Sequence, residues 1–292
     1  MISASLVKEL REKTGAGMLD CKKALEETNG DINAAADWLR EKGISKAAKK
    51  ADRIAAEGVA AIKVNGNTAV IVEVNSETDF VAKNDEFKTL VNEILDGILN
   101  NEVSTIEDVL ALPATGGTVE SLIVDKTAKI GEKLSFRRFE KIVKKDSESF
   151  GDYIHMGGKI AVLTVIDNAS SEVAKDVSMH SAAMRPAYVK STDVPTEELE
   201  KEKDIMREQL INEGKPADKL DGILIGKVKK YYEEVCLENQ IFVKAENKET
   251  VSEFVKNNGG TISSMIRYEV GEGMQKREEN FAEEVAAQLE GK

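Results

Sequence analysis

The sequence is poor in the residues that most often carry chemistry, because its 292 residues include only two cysteines and two histidines. Cys21 and Cys236 are too few and too far apart for a disulfide framework, and we interpret each as a small buried hydrophobe. His155 and His180 have no Cys or His neighbour at a spacing that would form a zinc site. Carboxylates, in contrast, are so abundant that no pair stands out. We therefore predict no catalytic residue, no bound metal and no cofactor.

Phosphate-binding and nucleophile motifs are missing as well. No Gly-Lys pair in the sequence has a glycine five positions before its own glycine, which excludes a Walker phosphate loop. There is also no Gly-x-Ser-x-Gly nucleophile elbow. The longest strongly apolar run, residues 160–166, is far too short to span a bilayer, and the N-terminus has no apolar core of signal-peptide length. We expect a cytoplasmic protein that does not bind a membrane.

The composition has few aromatic residues and an excess of negative charge. The sequence is 41% hydrophobic, 32% charged and only 5% aromatic, which is typical of a soluble, helix-rich globular protein. A net charge of -12 argues against direct nucleic-acid binding, which depends on Lys and Arg neutralising phosphates. Residues 1–56 differ, since they carry eleven Lys and Arg against nine Asp and Glu. The small net positive charge of this first segment allows it to contact an acidic surface.

Residues 3–42 have the pattern of three short helices. Ser3 or Ser5 can cap the first helix and Asp20 the second, and an Asn-Gly-Asp turn at residues 29–31 precedes the third. The arrangement resembles a ubiquitin-associated domain. Trp38, the only tryptophan, shares a helical stripe with apolar neighbours, so we interpret it as a core residue rather than a ligand site. The basic residues 46–53 are interpreted as a solvated linker helix.

From residue 57 the apolar period changes to two, which indicates strands. Residues 59–64 and 68–74 flank Asn65-Gly66, a strong hairpin signal because both residues tolerate positive φ. Further strand patterns cover residues 134–143, 150–155, 160–166 and 261–270. Helical patterns cover residues 85–99, a polar stretch before Pro113, a segment ending near residue 129, a segment from Ser170 or Ser171 to Pro186, and residues 251–256. This order predicts an α+β fold with two related subdomains, each a small antiparallel sheet with helices on one face.

Residues 76–84, with the sequence S-E-T-D-F-V-A-K-N, join a strand-like run to a long helical pattern. Thr78 and Asp79 are both N-cap candidates, because their side-chain oxygens can accept from first-turn amides. Phe80 has no capping role. It either packs on the sheet as a hydrophobic staple or is an exposed interface anchor.

An internal copy favours the second interpretation of Phe80. When Gly66 is aligned with Gly158, a separation of 92 residues, six of the eighteen positions 66–83, Gly66 included, are identical to their matches without a gap. Such agreement indicates a duplicated supersecondary unit. The copy has Ser171 at the position of Asp79 and Glu172 at the position of Phe80. A required apolar plug would be retained in both copies, so we predict that Phe80 is exposed and binds a partner.

Residues 196–213 and 217–234 are highly charged, with narrow apolar seams that predict an antiparallel helical hairpin. The hairpin is either an assembly arm or packs on its own domain. An acidic C-terminal helix with Phe281, Val285 and Leu289 follows. The predicted domains are residues 1–55 (three-helix domain and linker), 56–140 (core subdomain N), 141–186 with 235–270 (core subdomain C), 187–234 (hairpin arm) and 271–292 (C-terminal helical module).

Three runs of the sequence resemble the bacterial elongation factor Ts family. They are residues 5–25 (S-L-V-K-E-L-R-E-K-T-G-A-G-M-L-D-C-K-K-A-L), residues 78–84 (T-D-F-V-A-K-N) and residues 267–286 (R-Y-E-V-G-E-G-M-Q-K-R-E-E-N-F-A-E-E-V-A). The resemblance covers the whole chain in the same order. It implies a guanine-nucleotide exchange factor for the GTPase elongation factor Tu, bound in its GDP and nucleotide-free states, with no enzymatic chemistry of its own.

The resemblance also implies the residues that bind the partner. Those matching Asp79 and Phe80, with Thr78 and Val81 beside them, enter the partner's nucleotide domain and dislocate its Mg²⁺. Supporting contacts are implied for Lys22, Ile130, Gly131 and His155, although His155 is equally compatible with a solvated loop. A homodimer through the hairpin and a 2:2 complex are both compatible with this picture. A rival hypothesis is a scaffold protein that recruits partners through the three-helix domain and the hairpin without promoting exchange.

Overall fold

The computed structural model describes residues 2–14, 16 and 18–275. Its α-helices are α1 Ala4–Thr14, α2 Met18–Glu27, α3 Ile32–Ala48, α4 Asp79–Lys83, α5 Asp85–Asn100, α6 Ile106–Leu110, α7 Val119–Ile130, α8 Ser171–Met184, α9 Thr196–Asn212, α10 Leu220–Val235 and α11 Val251–Asn257. Its strands are β1 Glu57–Asn65, β2 Thr68–Ser76, β3 Pro113–Ala114, β4 Gly117–Thr118, β5 Ser135–Val143, β6 Glu148–His155, β7 Ile160–Asp167 and β8 Thr261–Glu269. Short 3-10 helices cover Ser191–Asp193, Ala217–Lys219 and Leu237–Asn239. The fold is α+β, as predicted.

Helices α1, α2 and α3 pack around a small apolar core. Its fully buried members are Leu10, Cys21, Ala24, Leu25 and Ala35. Trp38 packs against this core, as predicted. The prediction that Asp20 caps α2 is wrong, because α2 begins at Met18 and Asp20 lies in its first turn. A carboxylate is favourable there too, since it interacts with the positive end of the helix dipole without capping.

Helix α3 is longer than the sequence predicts and packs against α7. It continues to Ala48, and hydrogen-bonded turns over residues 49–53 replace the end of the predicted linker helix. The two helices approach closely at Gly43, where a Cβ atom would lie 3.4 Å from the Cβ of Ala128. The three-helix segment is therefore packed on α7 as well as joined to it through the chain.

Two three-stranded sheets have corresponding strand orders, β1-β2-β5 and β6-β7-β8, with β2 and β7 in the middle. The register set by Gly66 and Gly158 places the start of β2 on the start of β7. Both middle strands are almost wholly buried. The turn of the first hairpin is Gly66-Asn67 rather than the predicted Asn65-Gly66. Only Gly66 needs positive φ, at 58°, because glycine at the first turn position supplies the unusual conformation by itself.

The helices that follow the two middle strands also begin in the same register. Thr78 caps α4 and Ser170 caps α8, and each side chain accepts from the N–H three residues later. The two helices differ in length, since α4 ends after one turn at Asn84, which then caps α5, whereas α8 continues to Met184. The prediction that Asp79 is a cap candidate is wrong, because Asp79 is the first residue inside α4.

Helix α5 buries an apolar face and packs against α7 and β3. Its buried residues are Phe87, Leu90, Val91, Ile94, Leu95 and Ile98. Each full burial of such a side chain contributes about 1.5–3 kcal/mol to stability. The second sheet is covered by α8 and α11, whose buried residues include Ala174, Val177, Val251 and Val255.

Glu73 is a fully buried carboxylate in the middle strand β2. Its oxygens accept from Arg137 Nη1 at 2.9 Å, Arg138 Nε at 2.6 Å and the backbone N–H of Gly271 at 2.8 Å. Burial alone would raise the pKa of Glu73, but the hydrogen bonds from Gly271, Arg137 and Arg138 outweigh burial and lower it. The carboxylate thereby ties the turn that follows β8 to β2 and β5.

Helices α9 and α10 form the predicted antiparallel hairpin. Leu210 and Leu224 are buried in its seam. At its base, Glu198 accepts hydrogen bonds from the hydroxyls of Tyr188, at 2.6 Å, and Tyr231, at 2.7 Å. These two bonds attach the start of α9 to α10 and to the segment that precedes the hairpin.

Contacts divide the chain into two compact units. Among the described residues, the first contains those up to residue 60, residues 72–139 and residues 269–275, and the second contains residues 61–71 and 140–268. The five domains expected from the sequence stay a prediction. The expected C-terminal helix, with Phe281, Val285 and Leu289, lies outside the described residues. Within the described part of the chain, every helix is too short or too polar to cross a membrane.

Candidate partner-binding site

Phe80 lies on the one-turn helix α4, and its side chain is 80% exposed. The next two residues hold α4 in place, because Val81 and Ala82 are only 8% and 7% exposed. The prediction that Phe80 is exposed is therefore confirmed, and the staple interpretation is wrong. Val81 serves as the inward anchor of α4, which leaves Asp79, Phe80 and Lys83 as the residues that the helix presents.

Asp79 and Lys83 form an ion pair along α4, with Asp79 Oδ2 2.6 Å from Lys83 Nζ. The same ammonium lies 5.9 Å from the centre of the Phe80 ring. Both charges are substantially exposed, so the pair adds only about 0.3–0.5 kcal/mol to the helix. Its main effect is to place a carboxylate, an aromatic ring and an ammonium together on one exposed turn.

Ile130 and Gly131 lie at the end of α7, next to the segment that holds α4. Gly131 ends the helix with φ 89°, and its N–H donates to Thr127 O at 3.0 Å. Glu132 follows and accepts from the N–H of Thr78 at 2.9 Å and from the hydroxyl of Thr78 at 2.7 Å. The structure therefore brings Ile130 and Gly131 together with the Thr78–Val81 segment. Sequence reasoning missed Glu132, since one carboxylate among 53 acidic residues gives no signal.

Lys22 lies on the exposed side of α2, where its ammonium pairs with Glu26 at 3.8 Å. Two apolar side chains earlier on this helix are also exposed, Met18 by 61% and Leu19 by 83%. Sequence reasoning missed both. Their signal is the position of a Met-Leu pair outside the buried stripe of Cys21, Ala24 and Leu25.

His155 ends β6, in the second compact unit, and is exposed. Its Nδ1 lies 3.2 Å from the hydroxyl of Tyr153. The next residue, Met156, has φ 50° and is 72% exposed. His155 thus belongs to an exposed apolar hairpin tip and not to the surface formed by α4 and the end of α7.

The site contains groups for recognition. Within residues 2–14, 16 and 18–275, no group of three or more His, Cys, Asp or Glu side chains is placed to hold a metal ion. His180, which is buried, accepts from the N–H of Val243 and lies 2.9 Å from Gln240 Oε1, so it serves as a structural residue. A rigid turn that presents an exposed aromatic side chain beside charges is typical of a protein–protein interface anchor. The described residues of this site thus offer side chains suited to recognising another protein.

Comparison with protein-family models identifies the class more closely. Residues 77–272 match the family described as Elongation factor TS. The match covers more than half of the 292 residues, and the chain belongs to the elongation factor Ts family. Members of this family are nucleotide exchange factors for elongation factor Tu in translation elongation, and they do not catalyse a chemical reaction in the usual sense. The T-D-F-V-A-K-N run lies inside the matched range, whereas residues 5–25 precede it.

Proposed function

We propose that this protein promotes GDP release from elongation factor Tu by inserting Asp79 and Phe80 beside the partner's Mg²⁺ and phosphate site. The observation that carries the proposal is the 80% exposure of Phe80 on a helix that Thr78 caps and Val81 anchors. A ring held in this way can wedge between partner side chains without first being removed from a core. The adjacent Asp79 carboxylate supplies negative charge close to the ring.

Displacement of Mg²⁺ is sufficient to speed GDP release. A bound GDP owes much of its affinity to the metal and to backbone amides around its phosphates. Insertion of the ring moves both away and weakens nucleotide binding. Binding is reciprocal, so the factor must prefer nucleotide-free elongation factor Tu by the same coupling free energy with which it weakens GDP. Each tenfold acceleration that arises from weakened binding corresponds to about 1.4 kcal/mol of coupling.

Secondary contacts extend the proposed interface within the first compact unit. Glu132, which follows Gly131, accepts hydrogen bonds from Thr78 and so places Ile130 and Gly131 beside α4. Lys22 adds an exposed ammonium on α2, where Leu19 adds an exposed apolar surface. For the second unit, we propose a partner contact from His155 at its apolar hairpin tip. The supporting feature is exposure for Lys22, Gly131 and His155, and position next to the Thr78–Glu132 contact for the half-buried Ile130.

The helical hairpin is proposed to join two copies of this chain, which would give a homodimer or a 2:2 complex with the partner. A groove of about 570 Å³ lies along α9 and α10. Its apolar lining includes Leu224 and Ile225, and Ile225 is 74% exposed. Its charged lining is balanced: Glu200, Asp204, Asp221, Lys203, Arg207 and Lys229. A neutral, mixed-charge groove fits an identical surface better than a strongly charged one. Ile225→Ser should lower the molecular mass of the protein in solution from that of a dimer toward that of a monomer. An unchanged mass would contradict a dimer contact through this groove.

We also infer that the two sheet-and-helix subdomains arose by duplication. The common register of β2 and β7, and of the caps Thr78 and Ser170, supports this inference. The proposed factor works in the cytosol, where translation takes place, binds both the GDP-bound and the nucleotide-free partner, and makes no direct nucleic-acid contact. The second copy, which has Glu172 in place of Phe80, then supplies matched control positions for the first.

Release of labelled GDP from elongation factor Tu tests the proposal. Added protein at one tenth of the partner concentration should release nearly all bound GDP faster than its spontaneous dissociation. Catalytic turnover is required, since a scaffold protein would accelerate release of at most a stoichiometric fraction. No acceleration at any concentration would favour the scaffold hypothesis.

A further inference from the structure

The segment before α4 and the segment after α7 are joined by hydrogen bonds to two carboxylates, one from each segment. Glu132 accepts from the N–H and the hydroxyl of Thr78, at 2.9 and 2.7 Å. In return, Glu77 Oε1 accepts from the N–H of Lys133 at 2.6 Å. Glu77-Thr78 and Glu132-Lys133 are thus linked in both directions, because each pair supplies one carboxylate and donates hydrogen bonds to the carboxylate of the other pair. We refer to Glu77, Thr78, Glu132 and Lys133 as the carboxylate bracket.

A third segment is attached to the same bracket. Lys133 Nζ donates to Ala51 O at 2.6 Å and to Arg53 O at 3.0 Å. Arg53 in turn pairs with Glu77, its Nη1 lying 3.3 Å from Oε1. The side chain of Glu77 is only 14% exposed, so this attachment is partly shielded from water. The bracket therefore joins the chain that follows α3 to the ends of β2 and α7.

Helix α4 is too short to fix its own direction. It has five residues, and isolated helices of this length are unstable because the first turn is costly to nucleate. The hydrogen bonds at its start are long, with Val81 N 3.5 Å from Thr78 Oγ1 and Ala82 N 3.4 Å from Thr78 O, whereas Asn84 N at its end lies 2.9 Å from Val81 O. Burial of Val81 and Ala82 fixes one side of the helix, and Glu132 adds a second restraint at the weakly bonded start by holding two atoms of Thr78.

The second copy shows what happens when the helix is long. Ser170 caps α8 through its hydroxyl, 3.3 Å from Val173 N. Helix α8 has 14 residues and is fixed by its buried face. Its direction does not depend on the cap alone.

We propose that Glu132, with Glu77 as its reciprocal partner, is a positioning residue that orients α4 so that Phe80 meets the nucleotide site of elongation factor Tu already aligned. This inference rests on the proposed function. Pre-organised groups lose less freedom on binding. Small displacements of a positioned group also lower rates strongly, by up to about a hundredfold. Glu132 acts through Thr78 and α4, whereas Phe80 makes the contact.

Glu132→Ala, which removes both acceptors, tests the proposal. The rate of labelled GDP release at saturating factor should fall by roughly tenfold or more. Glu132→Gln should restore the rate to within about threefold, because its amide oxygen can accept from Thr78 N–H and its amide nitrogen can donate to Thr78 Oγ1. A normal rate for Glu132→Ala, when Phe80→Ala is slow, would overturn the bracket and leave the proposed function intact.

The double variant with Phe80→Ala separates positioning from loss of folding. If Glu132 acts through the ring, Glu132→Ala should change the rate by less than about twofold in the Phe80→Ala background, since contributions that act as a unit are not additive. Multiplied losses would overturn the proposal. A normal rate for Phe80→Ala alone would instead reject the proposed function.

Amide hydrogen exchange in the free protein supplies a readout that needs no partner. Glu132→Ala should speed exchange at Thr78 and Val81 by about tenfold or more, while amides in α5 stay protected. Glu253→Ala removes a carboxylate that likewise accepts from the N–H and the hydroxyl of a helix cap, Thr250, and is the matched control: it should change neither exchange at Thr78 and Val81 nor GDP release. Unchanged protection at Thr78 in Glu132→Ala would overturn the bracket whatever Phe80→Ala shows.

Discussion

The segment β2–α4 and the segment β7–α8 share a scaffold and differ in what they present. In both, a buried strand leads to a hydroxyl cap, a buried alanine and an exposed lysine at matching positions. The first segment has Phe80 on a helix of five residues, and the second has Glu172 on a helix of 14 residues. The same scaffold therefore folds with or without the aromatic residue. The difference singles out the first segment as the one that carries the proposed partner-binding feature.

The two segments also differ in what they bury. Glu73, held by Arg137 and Arg138 in β2, corresponds to the buried Val165 in β7. In the helices, the buried polar side chains belong to the second copy. Helix α5 buries apolar side chains, whereas α8 buries Ser178 and His180 with their own hydrogen-bond partners. The first segment therefore has a buried ion pair in its strand that the second lacks, whereas the second has buried Thr164 in β7 hydrogen-bonded to Ser178 in α8.

The largest expected effect is the loss of the buried carboxylate of the first segment. Glu73→Val copies the second segment but leaves two guanidinium groups and the N–H of Gly271 without this acceptor. Breaking a buried ion pair on one side costs about 3–5 kcal/mol, and urea unfolding should show a loss near the lower limit because both Arg side chains are partly exposed. Glu272→Gln, at an exposed pair with Arg138, is the control and should cost less than about 1 kcal/mol. Equal costs would mean that Glu73 can be replaced as freely as a surface residue.

A smaller effect should appear on the α8 side as a pH dependence. Burial lowers the pKa of His180, only partly offset by its hydrogen bond to Gln240. As pH falls below about 6.5, the unfolded chain takes up this proton before the folded protein does. His180 therefore contributes fully above pH 6.5, and the free energy of unfolding should fall below it by at most about 1.4 kcal/mol per pH unit.

His180→Gln gives the matching control for that pH dependence. Urea midpoints at about pH 7 and pH 5.5 should differ more for the parent than for the variant. If the urea midpoint shifts equally with pH in the parent and the variant, groups other than His180 cause the pH dependence.

Asp79→Ser makes the first segment more like the second, which has Ser171 at this position. Thr78 remains the cap, so the stability should change by less than about 0.5 kcal/mol, the value of the lost pair with Lys83. GDP release from elongation factor Tu should nevertheless slow, since the carboxylate is proposed to act on the partner. Thermal unfolding checks the stability and the release assay checks the exchange, and unchanged release would show that the Asp79 carboxylate does not act on the partner.

Regular elements were predictable where local sequence determines them. The strands that contain residues 68–74 and 160–166, and the hairpin helices, follow from apolar periodicity, and the exposure of Phe80 follows from the internal copy. The packing of α3 on α7 was not predictable, because Gly43 and Ala128 give no local signal of their contact. The same holds for Glu132, whose role depends on Thr78, 54 residues earlier in the chain. Contacts between distant segments leave no periodic pattern.

The most direct test compares Phe80→Ala with Glu172→Ala, its match in the second segment. Both changes should alter the free energy of unfolding by less than about 0.5 kcal/mol, in contrast to the roughly 3–5 kcal/mol lost when a core Phe is truncated. In the GDP-release assay with elongation factor Tu, Phe80→Ala should be markedly slower than the parent, and Glu172→Ala should match the parent. Equal release by Phe80→Ala and the parent would contradict the account.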